Sequence, residues 1–246
     1  MNNNNATISK MSKMRLYGMA TAFENLLDSN KNMKLTVDEA VTYLIDSEWD
    51  DKHNRRLKRL VIGARFRYKS SLDEIDYGGD RGIDKNQILR LSDCNWVEKG
   101  EDILITGATG VGKSFMGSAF GYQACDYGNT VGYYSSSRIF AELNMGKKDG
   151  TYIKTLQKIM RKQVIIFDDF GLEKLNQVSR MALLEIIEDR HKRKSTIIVS
   201  QLPVALWHDA IGEPTIADAI MDRLVYNSHR IDLKGESVRK KKQIKS

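Results

Sequence analysis

The chain has 246 residues, enough for a substantial core in one large domain or in a nucleotide-binding-sized domain plus a smaller one. Its 41% hydrophobic and 29% charged residues are those of a soluble globular protein, and the net charge of +7 favours anionic partners, nucleic acid being the commonest. Charge alone leaves a merely soluble basic protein equally open. No apolar run approaches the roughly 18 residues that a membrane span needs, and the four asparagines after Met1 lack the apolar segment of a signal peptide. Cys94 and Cys125 have no metal-type spacing. A cytoplasmic protein with reduced, buried thiols and no membrane contact is expected.

The first third reads as helical. Met11, Met14, Tyr17, Phe23 and Leu27 recur at near-helical spacing, and Asn30 and Asn32 break the pattern. Thr36-Val37-Asp38-Glu39 is a capping box that should open a long helix, with Val37, Val41, Leu44 and Ile45 on its buried face. That helix turns basic at Lys52, Arg55, Arg56, Lys58 and Arg59, followed by Arg65, Arg67 and Lys69. This stretch suits nucleic-acid phosphates, and equally suits the solvated face of a long helix. Ser71-Leu72-Asp73-Glu74 is a second capping box, opening a short helix. The glycines of Tyr77-Gly78-Gly79-Asp80-Arg81-Gly82 mark a boundary between a helical N-terminal domain, 1–77, and a second domain, 78–246.

Beyond that boundary strand-like and helix-like segments alternate. The strands are expected at Asp102–Thr106, Val131–Tyr134, Val164–Phe167, Thr196–Ser200 and His229–Leu233. Such alternation implies an α/β fold, a mainly parallel sheet flanked by helices.

Gly107-Ala108-Thr109-Gly110-Val111-Gly112-Lys113-Ser114 matches the phosphate-loop pattern G-x-x-x-x-G-K-[S/T] between the first strand and a helix over Phe115–Tyr127. Backbone N–H groups of the loop and the helix N-terminus would wrap the phosphates of ATP. Lys113 would reach the β- and γ-phosphates, and the Ser114 hydroxyl would hold Mg²⁺. Val164-Ile165-Ile166-Phe167 delivers Asp168 and Asp169 to the sheet edge beside this loop. Asp168 would act on Mg²⁺, and Asp169 would orient or deprotonate the attacking water. Gln201, with Ser200 second, could place a polar side chain between the γ-phosphate and that water. Arg223, delivered by a neighbouring subunit, and Arg239, within one subunit, could stabilise the transferring phosphoryl group; either could also be an ordinary surface arginine. Trp49, Trp96 and Trp207 read as core or interface residues. Lys240, Lys241, Lys242 and Lys245 extend a basic tail.

These motifs together resemble the IstB family, ATP-dependent helpers encoded beside the transposase of bacterial insertion sequences. That family is close to the helicase loader DnaC and the initiator DnaA within the AAA+ class. The resemblance rests on Met14-Arg15-Leu16-Tyr17-Gly18-Met19-Ala20, Glu48-Trp49 with Asn54-Arg55-Arg56-Leu57, and Leu72-Asp73-Glu74-Ile75-Asp76-Tyr77. It rests further on the phosphate loop, Asp168-Asp169-Phe170-Gly171-Leu172, Ser200-Gln201-Leu202-Pro203, and Ala217 to Leu224 with Lys234-Gly235-Glu236-Ser237.

The resemblance implies an AAA+ phosphate-loop ATPase behind a small helical domain, assembling with ATP as a homo-oligomer on double-stranded DNA. It would recruit or stimulate the partner transposase and hydrolyse ATP to remodel or release the complex. Gln201 would take the first sensor position, Arg223 that of the arginine finger and Arg239 that of the second sensor. Asp169 stands where many AAA+ proteins have Glu, which would slow turnover, and the short sequence after Arg239 argues against a full helical lid. A helicase-loading ATPase, and a nucleotide-gated adaptor with little turnover, are the competing readings.

Overall fold

The computed structural model describes residues 3–28, 35–78 and 81–237. Asn30, Asn32, Gly79, Asp80, Arg239 and the basic tail lie outside the described residues. The chain divides into two compact units, Met1–Arg59 and Leu60–Ser246.

The first unit contains α1 (Asn3–Lys13), α2 (Tyr17–Asp28) and most of α3 (Val37–Ala64). The apolar pattern beginning at Met11 is split between two helices, because Arg15 takes a left-handed conformation (φ 62°) between α1 and α2. At the start of α3 the Thr36 amide donates to Glu39 Oε2 (2.8 Å), and the Glu39 amide to Thr36 Oγ1 (3.3 Å), closing the capping box. The face α3 buries differs from the expected one: Val37 is 79% exposed, Val41 and Ile45 are exposed, and Leu44 is half-buried. α2 meets α3 on the Ser47–Glu48–Asp51 side, where a Cβ on Gly18 would stand 2.7 Å from Asp51 Cβ. Buried Glu48 accepts from the Met19 amide (3.1 Å) in the first turn of α2, a carboxylate placed on a helix N-terminus. Lys52 and Arg55 pair with Glu48 in turn, and Arg55 also pairs with Asp51 at 2.7 Å and lies over the Tyr17 ring. Trp49 is 75% exposed and joins no core.

The second unit is a five-stranded, wholly parallel sheet in the order β2-β3-β4-β1-β5. Its strands are β1 (Asp102–Gly107), β2 (Val131–Ser135), β3 (Val164–Phe170), β4 (Ser195–Ser200) and β5 (Ser228–Leu233). All five expected strands are present within a few residues of their expected ends. α4 (Lys85–Ser92) and α5 (Asn95–Glu98) precede β1, and α6 (Lys113–Asp126) joins β1 to β2. α7 (Ser136–Asp149) and α8 (Tyr152–Met160) join β2 to β3, α9 (Gln177–Arg190) joins β3 to β4, and α10 (Trp207–Ile211) and α11 (Pro214–Tyr226) lead to β5.

Alternate residues of buried strands point to opposite faces. Ile105, Ile166 and Val199 face α6, where Gly117 lets the helix approach closely. Leu104, Phe167 and Ile198 face a cluster completed by Phe140, Leu183 and Ile220 from the helices of the other side. Phe167 stacks on Phe140 at 5.9 Å, and cutting it to Ala should cost about 3–5 kcal/mol. Among the described residues no helix is long and apolar enough to cross a membrane.

The boundary between the two units, at 59/60, falls before the glycine-rich stretch. Residues 64–75 explain this: Phe66 packs on Gly121 of α6, and Ala64, Leu72 and Ile75 are buried. Ser71 and Glu74 form the second expected capping box, at the start of a single 3₁₀ turn, Leu72–Glu74.

Candidate nucleotide site

In a parallel sheet, ligands gather at the carboxyl ends of the strands. Here those ends bring β1, β3 and β4 together with the start of α6. Gly112 holds φ 104° as the residue before α6, a conformation L side chains rarely adopt, and the turn aims the helix N-terminus into the loop. Lys113 opens α6 and is buried; its ammonium donates to Ala108 O across the loop (2.7 Å). Burial pulls the Lys113 pKa down, against the opposing pull of Asp168 and Asp169. An ammonium folded onto its own loop carbonyl is placed to exchange that partner for a phosphate.

Asp168 is 1% exposed and fully engaged. Oδ1 accepts from Ser114 Oγ (2.9 Å) and from the Asp169 amide (3.0 Å); Oδ2 accepts from Arg67 Nη1 (3.3 Å) and from the Tyr133 hydroxyl. Burial first, and then the Asp168 hydrogen bond and charge, push the Tyr133 pKa up, so the phenol stays a donor. Asp169 sits at a register shift between Phe167 and Phe170, in a left-handed conformation (φ 58°) that turns its carboxylate out of the strand. Such strain in a non-glycine residue is concentrated at functional sites. Arg67 Nη1 reaches Asp169 Oδ2 at 3.1 Å.

At the end of β4 the two polar candidates separate. Ser200 Oγ donates to Phe170 O (2.7 Å) and accepts from the Leu202 amide (3.0 Å), a structural clasp. Gln201 Oε1 instead accepts from Thr109 Oγ1 at 2.6 Å, directly on the phosphate loop. Ser237, after β5, packs directly against Gly110.

The donor set fits Mg²⁺: the Ser114 hydroxyl and the Asp168 carboxylate are hard oxygen ligands beside a phosphate cradle. Among the described residues no cluster of three or more His, Cys, Asp or Glu offers an all-protein cage. Mg²⁺ is commonly held in this way, by one or two carboxylates together with substrate phosphates.

The other sequence candidates lie elsewhere. Arg223, on α11, donates to Ala219 O (2.7 Å) and to Glu188 Oε1 (3.0 Å). Within the basic stretch, Lys52 and Arg55 pair with Glu48 and Asp51, and Arg67 lies on the acidic pair Asp168 and Asp169. Trp96 is buried, its indole donating to Leu91 O (3.0 Å), so it is a core residue. Sequence reasoning missed Tyr133 and Arg81. Arg81 bonds Val111 O in the phosphate loop (2.7 Å) and Asp76 O (2.8 Å), tying the glycine-rich stretch to the loop. The β2–β3 register, in which Tyr133 lies two residues before the partner of Asp168, is the signal that would have found Tyr133.

Comparison with known proteins agrees with this geometry. Residues 9–246 match the family described as IstB-like ATP binding protein. A Sinorhizobium fredii protein named as an insertion sequence ATP-binding protein, y4pL, is 41% identical over 240 residues, covering 98% of each chain. Among solved structures, DnaI is similar with a TM-score of 0.60 at 21% identity, over 72% of this chain and 94% of that one. The replication initiator DnaA bound to AMPPCP and single-stranded DNA has a TM-score of 0.56 at 18% identity, over 74% of this chain and 56% of that one. These two likenesses show the fold alone, a parallel α/β sheet of the kind found in DnaI and DnaA. By the match of sequence over nearly its whole length, the chain belongs to the IstB-like ATP-binding protein family.

Proposed function

We propose that this chain is the ATP-hydrolysing helper of an insertion sequence: it binds Mg²⁺-ATP, assembles as an oligomer on double-stranded DNA, and recruits or stimulates the partner transposase. The observation that carries the reading is the convergence of Lys113, Ser114, Asp168, Asp169 and Gln201 at one sheet edge. The names of its relatives as insertion-sequence ATP-binding proteins support the biological setting.

In this reading the loop amides and Lys113 hold the triphosphate, and Ser114 and Asp168 hold Mg²⁺. Bound Mg²⁺ supplies charge neutralisation on the phosphate oxygens. Gln201 positions a water whose oxygen attacks the γ-phosphorus. Asp169 takes the water's proton as the bond to the β-phosphate oxygen breaks, and ADP leaves. Tyr133 positions Asp168. Arg223 serves the site of a neighbouring subunit, and Arg239, two residues beyond Ser237, serves its own. Lys58, Arg59 and Arg65, with Arg56, are the candidates for DNA phosphates, and partner-specific contacts belong to the helical N-terminal unit. Hydrolysis then remodels or releases the assembly.

The test is ATP hydrolysis at fixed salt without DNA, with double-stranded DNA and with single-stranded DNA, using Lys113→Ala as the blank. Stimulation chiefly by double strands is expected. Stimulation chiefly by single strands would make the chain a helicase-loader-type ATPase, and no turnover under any condition would make it a nucleotide-gated adaptor.

A further inference from the structure

Arg67 has a position that neither the phosphate-loop pattern nor the basic stretch accounts for. One guanidinium nitrogen, Nη1, bridges the two acids, 3.3 Å from Asp168 Oδ2 and 3.1 Å from Asp169 Oδ2. Asp168 is buried, and a buried carboxylate needs a compensating charge as well as donors. Arg67 supplies that charge, while Ser114, Tyr133 and the Asp169 amide supply the other hydrogen bonds. The backbone beneath it is anchored. Arg65 ends α3 in a left-handed conformation (φ 59°), and the Phe66 ring sits edge-on to Tyr133 at 6.3 Å, with Cε1 against Gly121. The Arg67 side chain itself is 46% exposed, so it can swing away while Phe66 stays in place.

We infer that Arg67 is the resident counter-ion of the acidic pair, and that loading of a divalent cation with nucleotide displaces it. The inference rests on the Mg²⁺-nucleotide site proposed above. A cation held by Ser114 and Asp168 would bring two further positive charges within a few ångströms of the guanidinium, and like charges at that range repel strongly. All four acceptor positions of Asp168 are taken, Oδ1 by Ser114 and the Asp169 amide and Oδ2 by Arg67 and Tyr133, and of these donors Arg67 alone carries the cation's sign of charge. Metal and arginine therefore compete for one carboxylate, and by linkage each weakens the other. Displacement also frees Asp169 Oδ2, the oxygen that would take the proton from water. Arg67 thus delays base function until the metal has arrived.

The experiment is a Mn²⁺ titration of the protein–ADP complex followed by electron paramagnetic resonance, which reads metal binding without turnover. Arg67→Gln should bind Mn²⁺ about tenfold tighter than the unaltered chain, within the range of ordinary coupling energies. Arg67→Lys, which keeps the charge, should shift the binding less. Unchanged or weaker Mn²⁺ binding by Arg67→Gln would overturn the inference. A second readout uses the unaltered chain, in case Arg67→Gln fails to fold. Phenylglyoxal modification of Arg67, located by peptide mass, should run several-fold faster with Mg²⁺ and ADP than with ADP and a chelator; equal or slower modification overturns the displacement. Absence of any Mn²⁺ binding by the unaltered protein–ADP complex would overturn the nucleotide-site reading itself, and the inference with it.

Discussion

The Ser114 hydroxyl donates to Asp168 Oδ1 at 2.9 Å, tying the first turn of α6 to the end of β3. Ser114→Ala should lose about 1 kcal/mol of stability in thermal or urea unfolding, the ordinary net value of one such bond. It should also remove most of the Mg²⁺-dependent part of nucleotide affinity. Full Mg²⁺ dependence in the alanine variant would take Ser114 out of the metal role.

Lys113 and Asp169 should separate binding from chemistry. Lys113→Ala should abolish binding of a fluorescent ATP analogue, because an ammonium on the phosphates has no substitute in the loop. Asp169→Asn should keep that binding and lower turnover by about 10²–10⁴-fold, the usual contribution of a general base. Undiminished turnover would transfer the base role to another group.

Arg223 is bonded within its own chain to Glu188 and Ala219, and its proposed catalytic use is at a neighbour's site. Arg223→Ala should leave nucleotide binding intact and lower turnover by roughly 10³-fold or more. Mixing Arg223→Ala with Asp169→Asn should restore part of the activity, since mixed assemblies contain some intact composite sites. If the mixture stays as inactive as its parts, the arginine does not act between subunits.

The basic stretch should divide by function. Lys58→Glu with Arg59→Glu should weaken double-stranded DNA binding and flatten its salt dependence by about one unit of slope per lost phosphate contact. Arg55→Ala should chiefly destabilise the N-terminal unit, since Arg55 is held by Asp51, Glu48 and the Tyr17 ring. Equal loss of DNA affinity in both would place Arg55 on the DNA as well.

Much of the architecture was legible because its signals are local. The strands are short apolar runs, the capping boxes join residues three apart, and the phosphate loop is contiguous. The buried face of α3 was not legible. The apolar residues Val37, Val41 and Ile45 suggested one side, while Glu48, a charged residue, holds the contact with α2 because it accepts the Met19 amide. The acidic pair could be read from the end of β3, but its surroundings could not. Arg67 and Tyr133 reach Asp168 from 101 and 35 residues away, through pairings that no local pattern contains. Arg67 looked like one more cation in a basic run until the fold carried it to the carboxylates.

The order of the strands bears on how the protein is made. β1, which carries the phosphate loop, lies between β4 and β5, and both neighbours come later in the chain. β2 and β3 can pair as soon as they emerge from the ribosome, while β1 must wait for residues 195–200 and then 228–233. Vectorial synthesis thus makes nucleotide capture a late event: a nascent chain halted after β3 carries every residue of the phosphate loop and no neighbouring strand to hold it.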